Sequence, residues 1–67
     1  MNRLSEVLGE KSLTQIWLAK ELGKSYNMVN SYAMNRRQPS IETLFEIAKI
    51  LEVKVSELLN EELPKVD

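Results

Sequence analysis

The stretch TQIWLAKELGKSYNMVNSYAMNRRQPS, residues 14–40, decides how this chain folds. Thr14 and Ser25 each stand ahead of a segment with helical apolar spacing. A hydroxyl there can accept from a first-turn N–H that has no partner within the helix. Leu18, Ala19 and Leu22 fall on one stripe. Gly23 follows at the point where a left-handed residue ends a helix without steric cost. The spacing therefore predicts two short helices joined by a tight turn, then a basic loop, Met34 to Pro39, stopped by proline.

Working outward, the first helix is expected over Arg3–Lys11, with Asn2 as its cap and Leu4, Val7 and Leu8 inward. Gly9 inside it should cost about 1 kcal/mol relative to alanine, with no functional reason evident. The second and third helices are expected over Gln15–Leu22 and Tyr26–Ala33. A fourth starts after Ser40, a good cap, with Ile41, Leu44, Phe45, Ala48 and Leu51 inward. A fifth is expected over Val55–Leu63, with Val55, Leu58 and Leu59 inward, ended by Pro64. The 67 residues form one domain, with a core over 3–60 and a tail over 61–67.

With neither cysteine nor histidine, the chain has no disulfide staple and no thiolate or imidazole metal ligand. No metal or cofactor is expected. No apolar run approaches the length of a membrane span, and no signal-peptide core is visible, so a cytoplasmic protein is expected. An enzyme is not expected, because the carboxylates show no paired spacing and no Gly-rich phosphate loop exists. The net charge of −1 conceals a polarity. Residues 1–40 hold six basic groups against three acidic, net +3; residues 41–67 hold three against seven, net −4. Such a molecule can turn a basic face to phosphates and an acidic end away.

A helix, a Gly-containing turn and a second helix can lay that second helix in a DNA major groove. Thr14-Gln15, Leu18-Ala19, Leu22-Gly23, Ser25, Val29, Tyr32 and Arg36-Arg37-Gln38-Pro39-Ser40 together resemble the Cro/repressor-type (Xre-like) helix-turn-helix family. Ile41 to Leu44, Ile47-Ala48, Leu51 and Val53 to Leu59 extend the resemblance over residues 3–60. The family implies an all-α, five-helix domain. It also implies a transcriptional regulator, usually a repressor, that binds a palindromic operator on double-stranded DNA as a homodimer. The alternative is a protein-interaction module, such as the antitoxin of a toxin–antitoxin pair, with a toxin or other protein as partner.

With Val29 inward, stepping about 100° per residue turns Asn27 and Ser31 outward, flanked by Tyr26 and Asn30. Asparagine can pair bidentately with adenine, and serine is permissive. The resemblance gives base contact to Tyr26, Asn27 and Ser31, with Asn30 next. It gives phosphate contact to Gln15, Arg36 and Arg37, with Lys24 in the turn a weaker candidate. It puts the dimer contact in the tail region, where Val53, Leu59 and Leu63 are the apolar candidates; a helix completing one monomer's core is the other reading.

Three departures from the family pattern stand out. Trp17 replaces a glutamate, so the reciprocal capping pair with Thr14 is lost; the indole either shields the core or belongs to a contact surface. Ala33-Met34 replaces an acidic-polar pair, and Ser12 a glycine. Asn35 also stands in place of glycine after the third helix. Asparagine tolerates positive φ, so Asn35→Gly should be harmless and Asn35→Val should not.

Overall fold

The computed structural model describes residues 2–59. Within them the chain forms α1 (Leu4–Glu10), α2 (Gln15–Leu22), α3 (Tyr26–Ala33), α4 (Ile41–Leu51) and α5 (Val55–Leu58). There is no named strand among the described residues, and no helix there is long and apolar enough to cross a membrane. α2 packs on α3 and α4, α1 on α3 and α5, and α4 on α5.

The helix starts follow from local hydroxyl chemistry. Thr14 Oγ1 accepts from Trp17 N at 3.0 Å, Ser25 Oγ from Met28 N at 3.1 Å, and Ser40 Oγ from Thr43 N at 3.2 Å. Thr14 thus caps without a glutamate at position 17. Trp17 packs half-buried against the core, which favours the shield reading. Gly23 closes α2 at φ 68°, with Lys24 N donating to Ala19 O at 3.0 Å. Asn35 closes α3 at φ 58°, as its residue type suggested. Ser12 and Glu52 also carry positive φ, each just past a helix end.

Leu4, Val7 and Leu8 meet Leu18, Ala19, Val29, Tyr32, Ala33, Ile47, Ala48, Leu51 and Leu58 in one core. Ala33 is buried there, so the acidic side chain it replaces would need a partner inside.

Two expectations are corrected. On α4 the inward stripe is Thr43, Ile47, Ala48 and Leu51 with Leu44 half-buried, while Ile41 and Phe45 are 73% and 59% exposed. The sequence offers two overlapping apolar stripes, and packing against α2 and α5 selects the one containing Ile47. α5 ends at Leu58, not Leu63. Leu59 is extended and forms an antiparallel bridge with Asn2, while Arg3 N donates to Leu58 O at 2.7 Å. This takes the carbonyl that would continue the helix outward, and Leu59 is left 43% exposed rather than inward. Leu63, Pro64 and the tail lie outside the described residues.

α1 begins one residue later than expected, but Asn2 still serves it: its Oδ1 accepts from Leu4 N at 3.0 Å. Asn2 is only 7% exposed. Its amide donates to Tyr32 O and Gln38 Oε1, both at 3.0 Å, and its backbone N–H donates to Asn35 Oδ1 at 2.8 Å. Asn35 Nδ2 returns a bond to Asn2 O at 3.2 Å. One buried asparagine therefore ties the chain start to the end of α3 and to the loop beyond it.

Candidate nucleic-acid interface

α3 is anchored inward by Val29, Tyr32 and Ala33. Its outer surface carries Tyr26 and Asn27, both exposed, with Asn30 and Ser31 partly buried. Ser31 donates from Oγ to Met28 O at 2.7 Å, which leaves its hydroxyl oxygen free to accept. Its own carbonyl accepts from Arg36 N (2.9 Å) and Arg37 N (3.2 Å), so the end of α3 sets the path of the basic loop.

Asn30 is the centre of a side-chain chain that joins three elements. Arg36 Nη2 donates to Asn30 Oδ1 at 2.6 Å, and Asn30 Nδ2 donates to Gln15 Oε1 at 2.9 Å. The same Nδ2 lies 3.5 Å from Tyr26 Oη. Gln15 opens α2, Asn30 sits in mid-α3 and Arg36 lies in the following loop. Four of the residues expected to meet DNA are thereby held on one surface.

Arg37 lies beside them, with Nη1 3.5 Å from Met28 Sδ. Lys24 is exposed in the turn, outside this network. Among the described residues the ion pairs are those of Arg3, with Glu6 at 2.9 Å and Glu10 at 3.8 Å; Lys24, Arg36 and Arg37 make none. Their charge is not neutralised within the described chain. Val53 is half-buried against the core, and Leu59 lies at the end of α5; neither belongs to this network.

The helix-turn-helix family profile matches residues 3–58. The chain belongs to the Cro/C1-type helix-turn-helix family. A solved structure of a candidate DNA-binding protein from Bacteroides fragilis is similar at 40% identity and a TM-score of 0.88, over 90% of this chain and 97% of that one. No curated protein matches the chain. The five-helix, Cro-like architecture of the family is the one observed.

Two features of this family member were not legible beforehand. Asn2 was legible as a cap and Asn35 as a left-handed residue, but nothing signalled that they meet Gln38 in one cluster. The bridging by Asn30 was hidden too: its partners lie 15 residues before and 6 after, and only the packed fold brings them together.

Proposed function

We propose that this protein is a sequence-specific transcriptional regulator that binds a palindromic operator on double-stranded DNA as a homodimer and represses by occupancy. The carrying observation is the surface on which α3 lies between Gln15 and Arg36, joined to both through Asn30. α3 enters the major groove, where Tyr26, Asn27 and Ser31 meet base edges. Gln15, Arg36 and Arg37, with Lys24 at the turn, meet phosphates and fix the register. The protein works where chromosomal DNA is, in the cytoplasm, and catalyses nothing.

One α3 reads only a few base pairs, too little contact for ordinary specific affinity. A second copy doubles the contact and sets the two α3 helices about 34 Å apart, one turn of DNA. Val53 and Leu59 are the dimer candidates within the described residues, and the exposure of Leu59 supports its part. The exposed Ile41 and Phe45 favour a second reading, a protein-interaction module such as an antitoxin, in which that apolar pair meets another protein.

The test joins two variants. Arg36→Ala with Arg37→Ala should weaken specific and nonspecific binding alike and lower the slope of log K against log salt by about 0.9 per lost phosphate contact. Asn27→Ala should relax preference at one position per half-site, by about 1–3 kcal/mol. An unchanged salt slope and an unchanged selected sequence would remove Arg36, Arg37 and Asn27 from the contacts, whereas failure of the wild-type protein to bind DNA would sink the DNA reading and leave the protein-interaction module.

A further inference from the structure

We infer that Asn30 acts as a positioning residue that holds Gln15 and Arg36 as a paired anion clamp, rather than as a reader of bases; the inference rests on the DNA-binding reading above. The polarity of the hydrogen-bond chain carries it. A guanidinium can only donate, so the Asn30 atom facing Arg36 Nη2 must be the carbonyl oxygen. The amide nitrogen of Asn30 must then face Gln15, and it needs an acceptor there, which is Oε1. The donor end of Gln15, Nε2, is therefore the end left over. Arg36 likewise keeps all its N–H groups except the one spent on Asn30. The N–H groups of Gln15 Nε2 and of Arg36 are thus the ends the network presents outward, while each amide oxygen already has one lone pair engaged.

That arrangement suits a pair of phosphate oxygens. The guanine edge, O6 with N7, also offers acceptors alone, but Gln15 at the start of α2 and Arg36 in the loop after α3 lie off the helix that enters the groove, which favours the backbone. Asn30 has both ends of its amide occupied and is partly buried. With Gln15 Oε1 at 2.9 Å and Tyr26 Oη at 3.5 Å both facing its Nδ2, Asn30 has no spare N–H for adenine N7 while these contacts hold. Left in place, the bonds to Gln15 and Arg36 fix two long, rotamer-rich side chains before DNA arrives, and the ordering entropy is not charged to binding.

The experiment measures binding of purified protein to a mixed-sequence 20-base-pair duplex across a salt series, with a random-sequence selection alongside. Asn30→Ala should weaken binding roughly five- to tenfold, the effect of freeing two such side chains. The salt slope should stay near that of the wild type, since no charge is removed. The selected sequence should not change, and neither should the melting temperature. In a Gln15→Ala, Arg36→Ala background, Asn30→Ala should have no further effect. A changed base preference at one position, or a loss that persists in that background, would overturn the proposal in favour of base reading. Wild-type affinity in Asn30→Ala would overturn it alone. Failure of the wild-type protein to bind the duplex would overturn it together with the DNA reading.

Discussion

Asn35 answers two demands at once. Its backbone sits at φ 58°, where most side chains clash with the following carbonyl. Its side chain accepts from Asn2 N and from Gln38 Nε2 (3.1 Å) and donates to Asn2 O. Glycine would meet the first demand and abandon the second, so the harmless Asn35→Gly expected from backbone conformation alone must be revised. The Asn2 N–H would lose its acceptor, and an unsatisfied buried donor costs about 1–3 kcal/mol. We expect Asn35→Gly to lower the urea midpoint by an amount equivalent to about 1 kcal/mol. Asn35→Val should fall about 1–2 kcal/mol further, because a β-branched side chain is also strained at this φ. A glycine variant as stable as the wild type would show that the cluster contributes nothing net. Gly9 is the opposite case. It lies exposed in α1, and a Cβ there would meet nothing within 4 Å. Gly9→Ala should stabilise by about 0.5–1 kcal/mol, through helix propensity and a less free unfolded chain. Thermal melting checks the sign, and a lower melting point would contradict it.

The elements differ in how far local chemistry fixes them. Thr14, Ser25, Ser40, Gly23 and Asn35 act on groups within a few residues, and those helix ends could be read from the sequence. The face of α4 could not. Ile41 and Phe45 are as apolar as Ile47, and only the positions of α2 and α5 decide which of them the core takes. The length of α5 was hidden for the same reason, since the partner that draws Leu59 out is Asn2, at the far end of the described chain. The outward set Tyr26, Asn27, Asn30 and Ser31 was legible from one inward anchor, Val29; the links among Gln15, Asn30 and Arg36 were not, because they depend on how α2 meets α3. The α4 correction has a direct check. Ile47, 1% exposed, should cost about 2–5 kcal/mol when cut to alanine, whereas Phe45→Ala should stay within about 0.5 kcal/mol. Equal losses in a denaturant series would restore Phe45 to the core.

At the scale of the molecule, the proposed function needs two copies. Leu59→Lys tests the contact without disturbing the core, because Leu59 is 43% exposed and does not belong to the buried cluster. We expect a shift toward monomer in sedimentation and a loss of cooperative operator binding, with half-site binding kept. Full cooperativity in a folded Leu59→Lys protein would move the dimer contact elsewhere. The Asn2–Leu59 bridge and the Arg3 N to Leu58 O bond have a different consequence. They bring the two ends of the described chain side by side, so α1 and α5 open as one unit and fraying at either end releases both. The same proximity makes the order of the helices dispensable. A short linker from residue 59 back to residue 2, with new termini cut at the exposed turn of Lys11 and Ser12, would yield a circular permutant. Its chain would begin with α2 and end with α1, and it would still carry Gln15, Asn30 and Arg36 on one surface.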